Sequence, residues 1–186
     1  IARNLIATGV MDSKRVTSAA RIRQLAATIR ATPGCTTEVI AIGPQRYNEM
    51  HASFGNLNRL LAWGHARVIE KLAAARPACP RALSDQFARP EVLQRALRDK
   101  GLTLEPEQRT KGESDTAVAA ASILAKVYRD ALMNDLHAAD PRYGYDRHKG
   151  YATPAHLAAV ARYGYSSIHR QTFRPRSLVG TIGPAT

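Results

Sequence analysis

The 186-residue sequence is poor in cysteine, in tryptophan and in acidic side chains. Its cysteines, Cys35 and Cys79, are separated by a spacing that matches no zinc motif and no dense disulfide framework. They are typical of incidental thiols in a reducing compartment. No apolar run approaches the length of a membrane span, and the first residues carry no signal-peptide pattern. These absences predict a cytoplasmic protein without a membrane partner.

Basic residues outnumber acidic ones. The sequence has 27 Lys and Arg against 15 Asp and Glu, a formal net charge of +12. Each basic side chain set against a phosphate releases a condensed counterion, so this excess favours nucleic acid as a partner. The alternative, a protein kept soluble by like charge, stays open on charge alone. The length suffices for one hydrophobic core, and we predict a single domain over residues 1–186.

The spacing of apolar and turn residues predicts helices interspersed with short strands. Helices are predicted over about 17–30, 47–75, 90–100, 115–137 and 154–163. Strands are predicted over 36–42, over 81–84 and within 102–112. Residues 1–11 form an apolar-polar lead-in, and no repeat or low-complexity tract follows. Helices interspersed with short strands indicate the α/β class.

Two carboxylates stand at the ends of neighbouring predicted elements. Asp85 follows the short strand at 81–84, and Asp115 precedes the alanine-rich helix. α/β enzymes often place functional groups there, and paired carboxylates suit Mg²⁺, a hard cation that takes oxygen ligands. The alternative is that Asp115 caps its helix and Asp85 belongs to a turn. A site for two such ions normally needs more carboxylates than these two.

A third region interleaves basic and aromatic residues with glycines. It comprises YGYDRHKGYAT at 143–153, then His156, then IHRQTF at 168–173. This combination suits a phosphate backbone with a ring stacked on a sugar or a base. The alternative is a solvated basic loop whose tyrosines pack over a small core, and composition leaves both interpretations open.

Together these segments resemble the type 2 ribonucleases H, the ribonucleases HII and HIII, over nearly the whole chain. AAASILAKVYRD at 119–130 is similar to a family signature, and HKGYAT at 148–153 resembles the HII branch. The middle resembles the HIII branch, with NLNRLLAWGHA at 56–66 and SDQF at 84–87. GVMDSK at 9–14 resembles a turn common to both branches.

The resemblance implies a ribonuclease H-like fold, a mixed sheet flanked by helices. It also implies a site of four acidic residues that uses Mg²⁺ or Mn²⁺, with Asp85 and Asp115 as the third and fourth acids and as metal ligands. The first two acids would be an adjacent Asp-Glu pair in a motif that continues with Gly-Arg-Gly. This sequence contains no such motif. We therefore expect a fragment of a longer protein in which the N-terminal strands are missing.

The implied function is an endonuclease that hydrolyses the RNA strand of RNA–DNA hybrids by two-metal-ion catalysis, leaving a 5′-phosphate and a 3′-hydroxyl. Tyr151 stands where the HII branch stacks a tyrosine on the sugar at an RNA–DNA junction, which implies tolerance for a single ribonucleotide embedded in DNA. The HIII branch lacks this tyrosine, so the HIII-like middle leaves the substrate preference open. Lys14, Asn56, Lys149 and Arg170 are expected to contact the nucleic-acid backbone; the alternative for them is surface charge or polar support. We expect a monomer.

A different class of function stays open beside the nuclease. The chain could be a non-catalytic nucleic-acid-binding relative, or an inactive fragment that lacks a complete metal site. A phosphate-handling enzyme for small molecules is disfavoured, because the sequence has no glycine-rich phosphate loop of either common type.

Overall fold

The structure, a computed structural model, describes residues 2–77, 81–173 and 175. Its helices and strands follow one another as α1 Ala2–Ala7, α2 Ala19–Ala31, α3 Pro44–Phe54, α4 Leu57–Ala75, β1 Ala82–Asp85, α5 Pro90–Arg98, β2 Pro106–Arg109, α6 Thr116–Ala139, α7 Tyr145–His148 and α8 Pro154–Tyr163. Short 3₁₀ helices lie at Ser13–Arg15, Gly112–Ser114 and Pro141–Tyr143. Cys79 lies outside the described residues.

Strands β1 and β2 form a parallel pair, with Ala82 opposite Pro106 and Asp85 opposite Arg109. Helix α5 connects them, so residues 82–109 are a β-α-β unit, the usual way to join parallel neighbours. The strand predicted at 81–84, the strand predicted within 102–112 and the helix predicted between them are therefore confirmed. The α/β class is confirmed as well.

The strand predicted over 36–42 is wrong, because these residues are irregular. Their side chains bond to α4 and the residue that follows it. The Thr36 hydroxyl accepts a hydrogen bond from Arg76 at 2.9 Å, and Glu38 pairs with Lys71 at 3.3 Å. A β-branched, alternating segment forms a strand only where a neighbouring strand is there to pair with it.

The single helix predicted over 47–75 is two helices, α3 and α4. Gly55 lies between them with φ +64°, a left-handed conformation that ends α3. Asn56 then begins α4 as its N-cap, with its side-chain oxygen accepting from the Asn58 N–H at 2.7 Å. No element was predicted within the lead-in at 1–11, where Ala2–Ala7 is helical.

The chain divides into two compact units. The first unit comprises residues 1–40 and 54–127, and the second comprises residues 41–53 and 128–186. The single-domain organisation stays a prediction. In the first unit the apolar stripe of α2 packs with α6. The residues of this cluster are Leu5, Val16, Ile22, Leu25, Ala26, Ile29, Ala120, Ile123 and Leu124.

A separate cluster of the first unit covers the β-α-β unit. Ala66 of α4 packs there against Leu93 and Leu97 of α5, and all three are at most 1% exposed. The second unit has its own core around Tyr143, Tyr145 and Val160. Within 2–77, 81–173 and 175, no helix combines the length and the apolar character that a bilayer span requires.

Candidate active site

Asp85 is the last residue of β1 and its side chain is exposed, whereas the preceding Ser84 is buried. This alternation follows from the pleat of a strand. The Asp85 Oδ1 accepts a hydrogen bond from the Gly112 backbone N–H at 3.0 Å. A Cβ atom added to Gly112 would lie only 2.9 Å from the Cα of Asp85, so a side chain larger than hydrogen does not fit. The turn at Gly112 thus holds the end of β1.

Asp115 stands directly before α6 in an extended conformation. Its Oδ1 accepts from the Ala117 N–H at 2.8 Å, so the carboxylate does cap the helix. Its backbone N–H donates to the Gly112 carbonyl at 2.9 Å. Gly112 therefore bonds to both acids, to the side chain of Asp85 and to the main chain of Asp115. The structure brings the two predicted acids to one turn.

The two carboxylates fit a hard divalent cation by their chemistry. Each uses Oδ1 to accept a backbone N–H, which leaves its second oxygen for another partner. Mg²⁺ takes six oxygen ligands, so two carboxylates supply part of a coordination shell. Within the described part of the chain no group of three or more His, Cys, Asp or Glu is placed to hold a metal ion.

His65 of α4 is the titratable neighbour of Asp85. Its ring stacks on Phe87, two residues beyond Asp85, with centroids 4.6 Å apart. Burial lowers the pKa of His65, and the charge of Asp85 acts in the opposite direction. The imidazole is therefore neutral at pH 7, and it supports the segment that follows Asp85 by packing.

The turn that carries Lys14 is anchored on α6. The N–H of buried Ser13 donates to the Ser122 hydroxyl at 3.2 Å, and the Lys14 N–H donates to the Asp12 carboxylate at 3.0 Å. The Lys14 side chain is exposed. Ser122 belongs to the signature at 119–130, but its contact with Ser13 could not be predicted, because the two residues lie 109 positions apart in the chain.

Asn56 caps α4, so it has a structural role that does not depend on contact with the nucleic-acid backbone. Replacing it with alanine is expected to lower the free energy of unfolding by about 1 kcal/mol through loss of the cap. Asn56→Ser, which retains a capping oxygen, should restore most of that stability in urea unfolding. If Asn56→Ser instead weakens nucleic-acid binding as much as Asn56→Ala, a direct contact is the better account.

Tyr151 lies in the second unit with 59% of its surface exposed. Its N–H donates to the His148 carbonyl at 2.9 Å. Its own carbonyl accepts from the Thr153 N–H at 2.8 Å and from the His156 Nδ1 at 2.9 Å. The main chain of Tyr151 is thus fixed on both sides, while the ring reaches solvent.

Lys149 and Arg170, also in the second unit, differ in how available their charges are. The Lys149 ammonium donates to the Asn134 side chain and, at 2.6 Å, to the Asp146 carbonyl. Arg170 is exposed, with its guanidinium carbon 5.4 Å from the centre of the Tyr47 ring. Arg170 is therefore the freer of the two for a phosphate.

Three histidines of the basic region form a chain of rings in the second unit. His148 stacks on His156 with centroids 4.4 Å apart, and the Nε2 atoms of His156 and His169 lie 3.3 Å apart. The Ser166 N–H donates to the His169 Nδ1 at 2.9 Å, so neutral His169 carries its proton on Nε2. The Tyr151 carbonyl can only accept, so His156 carries its proton on Nδ1. Its Nε2 then accepts from His169. Sequence spacing could not reveal this network.

The histidine chain predicts acid-sensitive stability. Burial, together with the neighbouring His156, lowers the pKa of His169 from 6.5 to about 4. Between these values the unfolded chain binds more protons than the folded one, so stability falls as pH decreases from 6.5 towards 4. We expect a lower urea midpoint at about pH 5 than at about pH 7. His169→Gln, which does not titrate, should show a smaller difference; an equal difference would assign the effect to other groups.

Solved structures share this fold. Ribonuclease HII from Archaeoglobus fulgidus, solved in a complex with PCNA, superposes with a TM-score of 0.77 at 30% identity, over 95% of this chain and 84% of that chain. Bst-RNase HIII, solved in complex with Mn²⁺, superposes with a TM-score of 0.76 at 28% identity, over 92% of this chain and 57% of that chain. Both neighbours are type 2 ribonucleases H, so the fold of this chain is that of this class.

The sequence comparison narrows this class to a family. The ribonuclease HII family model matches residues 2–176, and the chain belongs to that family. A relative named ribonuclease HIII, from Chlamydia trachomatis serovar L2, is 44% identical over 140 residues, which are 75% of this chain and 45% of the relative. The chain thus spans about half the length of such relatives. The resemblance inferred from the motifs is confirmed.

Proposed function

We propose that the protein to which this chain belongs is an endonuclease that hydrolyses the RNA strand of RNA–DNA hybrids with Mg²⁺ or Mn²⁺. One observation carries the proposal. Asp85 and Asp115, to which the motif resemblance assigns the places of the family's third and fourth acids, are both bonded to the same buried residue, Gly112. The Mn²⁺ complex of a structural relative supports a divalent cation as the cofactor.

When bound, divalent cations would supply the activation of water and the stabilisation of the leaving 3′-oxygen, and the products would be a 5′-phosphate and a 3′-hydroxyl. Asp85 and Asp115 serve as ligands and not as proton donors, each through the oxygen left over by its backbone hydrogen bond. Gly112 is bonded to both acids and has no side chain that would push them apart.

The substrate class includes single ribonucleotides embedded in DNA. The exposed ring of Tyr151 supports this, because an aromatic face stacks on a sugar or a base. Lys14 and Arg170 are exposed cations suited to backbone phosphates. Lys149 and Asn56 have internal partners and are secondary candidates. The net charge of +12 supports a polyanionic partner in general.

Cleavage of a labelled DNA duplex with one ribonucleotide, in Mg²⁺ or Mn²⁺, tests the proposal on both the complete gene product and this chain. We expect a single cut that leaves a 5′-phosphate and a 3′-hydroxyl, and no cut in the all-DNA duplex. Salt-sensitive binding without any cut by the complete protein would instead support the non-catalytic binding function.

We also propose that the protein acts as a monomer in the cytoplasm. The scarcity of cysteine supports a reducing compartment. Light scattering during gel filtration, with and without the duplex, tests the monomer; a mass that doubles in the absence of nucleic acid would count against it.

A further inference from the structure

The Tyr151 ring needs a support that its main chain does not give. Three hydrogen bonds fix the peptide groups on either side of it, through His148, Thr153 and His156. None of them restrains rotation about the bond between Cα and Cβ, for which an exposed aromatic side chain has three staggered choices. With 59% of the residue exposed, packing restrains it little.

Arg129 of α6 supplies the restraint. Its guanidinium carbon lies 4.4 Å from the centre of the Tyr151 ring, well inside the range of a cation–π contact. The same guanidinium donates from Nη2 to the Lys149 carbonyl at 2.9 Å. A planar guanidinium can stack through its face and donate through its edge at once, which an ammonium group cannot do.

The main chain between Lys149 and Tyr151 is shaped to let Arg129 approach. Gly150 adopts φ +76°, and a Cβ atom there would lie 3.4 Å from the Met133 Sδ and 3.8 Å from the Arg129 Nη2. Lys149 is itself left-handed, with φ 49°. This conformation costs Lys149 conformational energy, whereas glycine adopts it readily. The turn brings the Lys149 carbonyl and the Tyr151 ring to the same side chain.

We propose that Arg129 is a positioning residue that holds the Tyr151 ring in the orientation that stacks on the sugar beside a ribonucleotide, and that it thereby sets the preference for single ribonucleotides. The Arg129 guanidinium lies over the Tyr151 ring, and 59% of the residue stays exposed. It acts through Tyr151 and not on a phosphate. The inference rests on the proposed function, because it assumes that Tyr151 meets the substrate.

The test compares two substrates in the complete protein: a DNA duplex with one ribonucleotide and a continuous RNA–DNA hybrid. Arg129→Met is expected to lower the ratio of their kcat/KM values about five- to tenfold, the range of a partly exposed cation–π contact. Tyr151→Ala should lower the ratio at least as much, and the double variant no further than Tyr151→Ala. Arg162→Met is the matched control, because Arg162 contacts a different ring, Tyr163, at 5.2 Å, and should leave the ratio unchanged.

Binding measured in EDTA as a function of salt separates positioning from direct contact. A residue that neutralises a phosphate reduces the slope of log Kd against log salt by about 1 and weakens both duplexes alike. Arg129→Met should leave the slope unchanged. A reduced slope, or additive effects of the two substitutions, would overturn the inference.

The remaining outcomes distinguish failure of the proposed function from failure of the inference about Arg129. If the wild-type protein cuts neither substrate, the proposed function fails and the inference fails with it. If the wild-type protein prefers the single ribonucleotide and Tyr151→Ala abolishes that preference, an unchanged ratio in Arg129→Met overturns the inference alone. Should Arg129→Met not fold, Arg129→Lys replaces it: an ammonium group cannot stack and donate together, so an intermediate ratio is expected, and a wild-type ratio overturns the inference.

Discussion

Asp115→Asn is expected to lower the rate of cleavage of a ribonucleotide-containing duplex on the order of 10²–10³-fold, the scale found when one preorganised electrostatic group is removed. Asparagine keeps the Oδ1 that accepts from the Ala117 N–H, so the start of α6 stays capped. What is lost is the negative charge that a divalent cation needs. The measurement is single-turnover cleavage by the complete protein at saturating Mg²⁺, with thermal unfolding to verify the fold.

Asp85→Asn should behave in the same way, because its Oδ1 accepts from the Gly112 N–H and asparagine retains that acceptor. The matched control is Asp99→Asn, an exposed aspartate at the C-terminal end of α5. We expect the control to cleave at the wild-type rate. Activity within tenfold of wild type in both Asp85→Asn and Asp115→Asn would remove these two residues from the metal site.

Gly112→Ala is expected to destabilise the protein and to impair cleavage beyond the loss of folded material. The added Cβ would lie 2.9 Å from the Cα and 3.1 Å from the backbone nitrogen of Asp85. Backbone atoms cannot swing aside as the end of a side chain can, so β1 and the turn must separate. Such overpacking costs about 1–3 kcal/mol. For a chain of this size that lowers Tm by about 2–12 °C.

The control for this substitution is Gly43→Ala. A Cβ atom at Gly43 meets nothing within 4 Å, and Gly43 does not occupy the left-handed region. Its Tm should stay close to that of the wild type, because the lower entropy of the unfolded chain with alanine is opposed only by the weaker capping preference of alanine directly before α3. Cleavage by Gly112→Ala is then compared well below its Tm. A wild-type rate there would show that Asp85 does not depend on this turn.

Local signals in the sequence determine the elements that were predicted well. α8 has the predicted bounds because Thr153 caps it, accepting from the His156 N–H at 3.3 Å, and because Pro154 opens it. Similarly, Ser18 caps α2. The segment 36–42 failed because its alternation is equally compatible with an irregular chain held by Arg76 and Lys71. Whether a partner strand is at hand is not a local property.

The candidate site, like the fold, could be predicted from the sequence only in part. Asp85 and Asp115 could be named from motifs, since each stands at the end of an element. Their link through Gly112 could not, because it joins residues 27 positions apart in the chain. The role of Arg129 depends equally on a turn at Lys149, 20 positions further on. Motifs indicate which side chains carry chemistry, and only the tertiary fold shows what holds them.

The packing of α2 with α6 has a consequence for synthesis on the ribosome. Ile22, Leu25 and Ile29 of α2 find their partners Ala120 and Ile123 only after about a hundred further residues have been made. At a synthesis rate of about 5–20 residues per second, this apolar stripe stays uncovered for roughly 5–20 s until α6 has been made. During that interval the apolar face of α2 is exposed on the nascent chain, and it is a binding target for chaperones that shield emerging polypeptides.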